Sequence, residues 1–576
     1  MRRLLITTLL LVFATGCAPI SPAPESDTVV ISVIGTNDVH GELVAQPDRG
    51  GITTFSGYVA AIRAARADDG DVLLVDAGDM WQGTLESNLT EGSAVVDAYN
   101  VLSYAAAAIG NHEFDFGPEG PKAIPESNSD NPQGALRKNA SALQFPLLAA
   151  NIIDTSTGKI VDWENVQAST LVTRRGVKIG IVGAITKDAL STTISANTVG
   201  LRVAPLAESI IVEARKLRVA GAALVVVLAH GGSRCEEFDD PYDTSSCTLS
   251  GEIVRVANEI PHGLVDHIVA GHVHRGMAHV FNGIPITSGF SNARAFDRVD
   301  FTIERNSGRI VNREIFPPQM ICAKEREEGE WCKDGESRGP AIYEGVYIEP
   351  MPAVAAIAAG ASERVAQRKA EKVGVYLETP MTLRDQPETA LGNLLTDAML
   401  ESSDADIAIH NVYGGIRAEM PRGEITFGHI FNVFPFDNRV SIVELTGLDV
   451  RKIMANQVHN ERRRAGFSGM RTFVSCDAGR MSVQLIRNDG RKIQDSDILR
   501  IVVNDFLLLG GDNILTPVIP KGGFDIPSST PLVRDVLVDW FKNRGGTMNA
   551  GQFRDPNNLR WNLPDPLPES CVFSAE

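Results

Sequence analysis

Five short segments of this chain place metal-capable side chains directly behind an apolar run. Val33-Ile34-Gly35 leads into Thr36-Asn37-Asp38-Val39-His40-Gly41, and Leu73-Leu74-Val75 into Asp76-Ala77-Gly78-Asp79. Ala108-Ile109 leads into Gly110-Asn111-His112-Glu113, Val226-Val227-Leu228 into Ala229-His230, and Ile268-Val269-Ala270 into Gly271-His272-Val273-His274. Carboxylate, amide and imidazole donors together suit Zn, Mn, Fe or a related divalent ion. Asp38 and His40 are two residues apart, as are His272 and His274, so in extended chain each pair points one way. A single His or Asp-Gly at a strand end is ordinarily a structural group or a turn. Five such pieces in one stretch make coincidence a poor account.

Short β-rich runs separated by helical stretches must position these groups. Val29–Ile34, Val72–Val75, Ala105–Ile109, Ile179–Val182, Leu224–Leu228 and His267–Ala270 are the clearest runs. They predict an α/β domain whose strand ends share one edge, where sites collect. Ala353–Lys372 is rich in Ala, Glu and Arg and predicts a helical joint. A second set of strands follows, including Ile407–Ile409, Val440–Leu445 and Leu499–Val503.

Asp38-x-His40, Gly78-Asp79, Gly110-Asn111-His112-Glu113, His230 and Gly271-His272-x-His274 resemble the signatures of the calcineurin-like metallophosphoesterases. The longer strings Thr36–Leu43, Asp76–Thr84 and Gly110–Gly117 resemble the bacterial 5′-nucleotidase and UDP-sugar hydrolase family, which also holds 2′,3′-cyclic phosphodiesterases with 3′-nucleotidase activity. The resemblance implies a four-layer α/β/β/α domain with two divalent metal ions. Asp38, His40 and His274 would take one ion; Asn111, His230 and His272 would take the other; Asp79 would bridge them. His112 would protonate or stabilise the leaving oxygen, and Asp115 would orient His112. Two such ions, roughly 3.5–4 Å apart, can clamp the attacking and leaving oxygens of an in-line displacement and lower the pKa of water.

The resemblance resumes over 373–520, at Leu391–Met399, Gly414-Gly415-Ile416-Arg417, Phe434–Asn438, Phe467–Arg471, Asn504-Asp505-Phe506 and Gly510-Gly511-Asp512. It implies that Phe436 and Phe506 sandwich a nucleobase, that Arg384 and Arg417 approach phosphate, and that Asp512 accepts from ribose hydroxyls. The family's Asn-x-Gly-x-Ile-Arg is Asn411-Val412-Tyr413-Gly414-Gly415-Ile416-Arg417 here, with Asn411 one position early, so a base contact by Asn411 stays open. Site residues from both halves require the halves to meet. The expected division is a signal peptide at 1–17, a tether at 18–28, a metallophosphoesterase domain at 29–345, a helical linker at 350–372 and a substrate-binding domain at 373–576.

Composition sets outer limits. The 576 residues are 43% hydrophobic and 22% charged, ordinary for a folded protein, with a net charge of −18. That balance argues against a nucleic-acid partner, since phosphate contacts need a basic footprint. Met1-Arg2-Arg3, the apolar run Leu4–Ala14 and Ala14-Thr15-Gly16-Cys17 predict an export signal ending in a lipobox, with Cys17 as a lipid anchor and the outer membrane favoured. Of seven cysteines, six remain beyond Cys17, an even number that suits an oxidising compartment. Cys235–Cys247 and Cys322–Cys332 would each close a short polar loop, which leaves Cys476–Cys571; the first loop follows His230 closely enough to wall the site.

The leading reading is therefore an exported two-metal phosphomonoester hydrolase acting on small-molecule nucleotides, a 5′-nucleotidase. Cyclic nucleotides or UDP-sugars are alternative substrates. A nucleotide-binding lipoprotein without turnover is the alternative from another class.

Overall fold

The computed structural model describes residues 27–46, 49–324, 332, 339–383, 385–460, 464–521, 523–524, 530–567 and 571–573. The expected signal segment with Cys17, and Arg384, lie outside them.

The N-terminal half is built on two sheets. The first carries β1 (Thr28–Thr36), β2 (Gly70–Asp76) and β3 (Ala106–Ala108) side by side and parallel. The second carries β4 (Val177–Ile185), β5 (Leu224–His230) and β6 (His267–Ala270), also parallel neighbours. Alternate residues divide between two interiors, as the period of two requires. Val33, Val75 and Ala108 of the first sheet pack with Ile181, Val226 and Val269 of the second. Ile34 and Leu74 face the other way, onto Phe55 and Val59 of α1 (Gly51–Ala65). Val225 and Val227 likewise face α2 (Leu206–Val219) and α3 (Glu252–Glu259) through Ile210, Ala214, Ile253 and Ala257. Helix, sheet, sheet and helix thus form four layers, as expected. Strands buried on both faces read as continuous apolar runs, which is why they stand out in the sequence. Phe301, fully buried between the sheets, shows the scale of this packing: its truncation to Ala would cost about 3–5 kcal/mol.

The joint helix is α4 (Pro352–Lys369). It stops three residues before the expected end, because Lys372 already begins the strand Lys372–Leu377. Proline at its first position fits, since the N–H it lacks would be unpaired there. Val354, Ala358 and Ala361 pack into the first helical layer, whereas Val365 belongs to the core of the second half. One helix therefore roots in both halves.

The second half holds β7 (Ile407–His410) and β8 (Ile498–Asn504), parallel neighbours in a four-stranded sheet. Asn504 ends β8 and caps the next turn: its Oδ1 accepts from Leu507 N at 2.9 Å, which sets the short helix Asp505–Leu508 that carries Phe506. All three expected disulfides are present, Cys235–Cys247, Cys322–Cys332 and Cys476–Cys571. The Cys235–Cys247 loop does not wall the site. Its Phe238 packs against His279 and Phe290, and none of residues 235–247 lines the cavity over the metal-capable groups.

Candidate active site

The C-terminal ends of β1, β2, β3, β5 and β6 bring Asp38, His40, Asp79, Asn111, His112, His230, His272 and His274 together. Register explains this: Thr36 pairs with Asp76, and Ala229 with Ala270, so the strands end level. The backbone at the site is not extended, contrary to the sequence expectation. Asp38, His40, Asp79, His272 and His274 all have positive φ, between 48° and 73°. The side chains converge because each sits in a tight left-handed turn beyond its strand, a conformation costly for a residue with a Cβ and held by its surroundings. Gly110 allows a close approach; a Cβ there would lie 2.3 Å from Asp79 Oδ1.

Two donor groups result: Asp38 with His40 and His274, and Asp79 with His230 and His272. Their hydrogen bonds show what they fit. His40 Nδ1 donates to the Gln82 carbonyl at 2.8 Å, so its Nε2 presents a lone pair, 3.1 Å from His274 Nε2. His230 Nδ1 donates to the Ala77 carbonyl at 2.9 Å, so its Nε2 faces Asn111 Oδ1 at 2.9 Å and Asp79 Oδ2 at 3.2 Å. His272 Nδ1 also meets Asn111 Oδ1, at 3.0 Å. Lone pairs converging on lone pairs call for a cation between them, and backbone carbonyls that fix the imidazole tautomer are the usual support of metal-ligating histidines. Burial alone would raise the Asp38 and Asp79 pKa values, but the surrounding imidazoles outweigh it and hold both below the ordinary carboxylate range.

His112 stands beside these groups on a different footing. Its Nδ1 lies 2.7 Å from Asp115 Oδ2, and Asp115 Oδ1 accepts from Thr193 Oγ1 at 2.7 Å. Its backbone N–H donates to Asp79 Oδ1 at 2.8 Å. Burial pushes its pKa down, yet the negative charge of Asp115 and Asp79 outweighs burial and leaves it above the ordinary histidine value.

Sequence reasoning passed over Glu113. Fully buried, its carboxylate accepts from the N–H groups of Asp79 at 2.8 Å, Met80 at 2.7 Å and Gly110 at 2.7 Å. It clips the β2 turn to the β3 turn. Its place next to His112 was the available signal. Asn37 does similar service, with Nδ2 donating to Asp38 Oδ2 at 2.6 Å and Oδ1 accepting from Gly289 N at 2.7 Å. Asn292 N donates to the Asp38 carbonyl at 2.7 Å, so the segment after Thr287 braces Asp38 from behind.

A cavity of about 860 Å³ opens over this cluster and is lined from both halves of the chain. Asp79, Asn111, His112, His272 and His274 form one wall; Arg417, Phe436, Phe506 and Asp512 form the other. Arg417 Nη2 is 3.0 Å from His112 Nε2, and its Cζ is 5.1 Å from the Phe436 ring centre. Asn411 also lines the cavity, but its amide is engaged: Nδ2 donates to Asp512 Oδ2 at 2.6 Å and Oδ1 accepts from Asn504 Nδ2 at 3.1 Å. A single turn of helix, Val412–Gly415, follows Asn411 directly.

A four-layer fold bearing two adjacent Asp/His donor groups and a His–Asp pair defines a metallophosphoesterase. Residues 31–276 match the calcineurin-like phosphoesterase family, and residues 367–518 match the 5′-nucleotidase C-terminal domain. The chain thus carries a calcineurin-like phosphoesterase domain followed by a 5′-nucleotidase C-terminal domain, and its two donor groups suit two divalent metal ions. It is 27% identical over 531 residues to the protein UshA of Yersinia enterocolitica, covering 87% of this chain and 89% of that one. It is 25% identical over 532 residues to the cell wall protein Lmo0130 of Listeria monocytogenes, covering 84% of this chain and 64% of that longer one. The crystal structure of a 5′-nucleotidase precursor from Thermus thermophilus superposes with a TM-score of 0.67 at 21% identity, covering 90% of this chain and 97% of that one.

Proposed function

We propose that this protein is a two-metal phosphomonoester hydrolase of nucleotides, a 5′-nucleotidase that releases nucleoside and inorganic phosphate. The carrying observation is the shared cavity: metal-capable groups and His112 on one wall, two phenylalanines, an arginine and Asp512 on the other. Asp38, His40 and His274 would hold one ion, Asn111, His230 and His272 the second, with Asp79 between them. When bound, the ions supply a Lewis acid and an activated water for in-line attack on phosphorus.

The chain's own groups do the rest. Arg417 binds and orients the phosphoryl oxygens with a planar fork of N–H donors. His112, held by Asp115, gives its proton to the departing ribose oxygen, which would otherwise leave as a poor alkoxide. Phe436 and Phe506 offer flat faces to the base, and Asp512 accepts from ribose hydroxyls. Arg384 lies outside the described residues, and its place at the phosphate rests on the family resemblance alone. The division of labour follows the domains: chemistry at 29–345, substrate selection at 373–576, with the linker at 350–372 between them.

The cavity lies in the upper part of the usual 300–1,000 Å³ range for ligand sites. That size favours one second reading, a nucleotide carrying a further group, such as a UDP-sugar. Export to an oxidising compartment is supported by the three disulfides. Anchorage through a lipid on Cys17 completes the proposal, and among the described residues no helix is long and apolar enough to cross a membrane. The test is phosphate release from 5′-AMP, 3′-AMP, 2′,3′-cyclic AMP and UDP-glucose with added Mn or Zn. Preference for 5′-AMP is expected. Tight binding of nucleotides with no turnover of any of the four would instead identify a capture protein.

A further inference from the structure

The strip Pro435-Phe436-Asp437 carries the stacking face of Phe436 into the cavity, and both of its first two carbonyls are held. The Phe436 carbonyl accepts from Arg534 Nη1 at 3.0 Å, and Arg534 Nη2 holds Asp437 Oδ1 at 2.5 Å. Arg534 belongs to the same half of the chain, so this support is internal to it. The Pro435 carbonyl is held from the other half. Gln82 Nε2 donates to it at 3.0 Å and Asn88 Nδ2 at 3.2 Å, from residues 353 and 347 positions away.

The orientation of both amides is determined. A carbonyl only accepts, so each side chain must turn its NH₂ end towards Pro435. Asn88 Oδ1 is separately occupied, accepting from Gly83 N at 2.9 Å, which fixes the Asn88 amide. Gln82 is 3% exposed, and its backbone carbonyl receives the Nδ1–H of His40. One residue therefore touches a donor of the first metal group through its main chain and the strip bearing Phe436 through its side chain. A side-chain change at Gln82 leaves the His40 contact in place.

We propose that Gln82 and Asn88 form a two-amide clasp that seats Phe436 over the catalytic groups, making them positioning residues for base-bearing substrates. The clasp rests on the nucleotide reading above. It sets how far the stacking face stands from His112, whose ring centre is 5.9 Å from that of Phe436. A small aryl phosphate has no base to stack and does not use this register.

The test compares wild type with Gln82→Met, Gln82→Glu and Asn88→Ala. Three quantities are read: kcat/KM for 5′-AMP and for p-nitrophenyl phosphate, metal content, and hydrogen exchange of the segment 434–438. The clasp predicts that the ratio of 5′-AMP to p-nitrophenyl phosphate kcat/KM falls about tenfold in Gln82→Met, the scale of one lost buried hydrogen bond. It predicts a larger fall in Gln82→Glu, which sets a carboxylate against a carbonyl, and a smaller one in Asn88→Ala. Exchange of 434–438 should speed up in all three, with two metals per chain retained. An unchanged ratio with unchanged exchange overturns the clasp, as does a parallel fall on both substrates with loss of metal. A wild type that hydrolyses the aryl phosphate but no nucleotide sinks the nucleotide reading and the positioning role with it, whereas an unchanged ratio in variants that still turn over 5′-AMP sinks the positioning role alone.

Discussion

Arg417 Nη2 lies 3.0 Å from His112 Nε2, across 305 residues of chain. A guanidinium only donates, so in this arrangement His112 Nε2 is the acceptor and Nδ1 keeps its proton towards Asp115; to serve the leaving oxygen Nε2 must take up a second proton, which the raised pKa of His112 favours. The same guanidinium stands over the Phe436 ring. Arg417 thus occupies the place where phosphoryl and leaving oxygens would meet His112. Arg417→Ala should lower kcat/KM for 5′-AMP roughly 10- to 150-fold, the scale of a lost charge-assisted hydrogen bond. Arg417→Lys should recover little, because a point charge does not replace the fork. Full activity in Arg417→Lys would contradict the role.

His112 acts on the leaving group in this account, so its removal should depend on what leaves. His112→Ala should cost about 10²–10⁴-fold in kcat for 5′-AMP and far less for p-nitrophenyl phosphate, whose phenolate needs no proton. Metal content should not change. Equal losses on both substrates would move His112 from proton donor to general charge stabilisation. Asp115→Asn should show the same pattern more weakly, since it only orients and polarises the ring.

Stacking should show as selectivity. Phe506→Ala should weaken nucleotide turnover by about 1–3 kcal/mol, roughly 5- to 150-fold, while sparing small phosphate esters. If both substrate types fell together, Phe506 would be part of the packing and not of the base slot.

Two histidines away from the metals lower stability in acid. His267 and His410 are fully buried, and burial lowers the pKa of each to about 3. The folded state refuses a proton that the unfolded chain takes up below about pH 6.5. Stability is therefore lost as pH falls from about 6.5 towards 3. At pH 5 each histidine removes on the order of 2 kcal/mol relative to neutrality. Urea midpoints at pH 7 and pH 5 check this: His410→Gln should flatten the slope, and an unchanged slope would show that His410 titrates normally.

Much of the catalytic centre was legible because its chemistry is written in residue type. Asp38, Asp79, Asn111 and the histidines each follow an apolar strand, and parallel register alone brings them level. How they point was not legible: the extended geometry inferred from the Asp38–His40 spacing gives way to left-handed turns that only the folded surroundings can hold. The two short disulfides could be read from loop length, whereas Cys476–Cys571 followed only from what was left. Glu113 was visible as a residue but not as a clip, since its partners are backbone N–H groups. Gln82 stood within the Asp76–Thr84 string without a role of its own, and Asn88 gave no sign, because their meaning depends on a proline carbonyl some 350 positions away. The engagement of Asn411 with Asp512 and Asn504 was not legible either, since these partners lie 101 and 93 positions away.

The central claim joins a two-ion centre to nucleotide hydrolysis, and one experiment reads both. Metal content and phosphate release from 5′-AMP are measured on the same sample as isolated, after exhaustive chelation, and after Mn or Zn is restored. The account predicts two ions per chain, loss of release with loss of metal, and recovery on re-addition, with Asp79→Asn failing to recover. Phosphate release that persists in metal-free protein would contradict it.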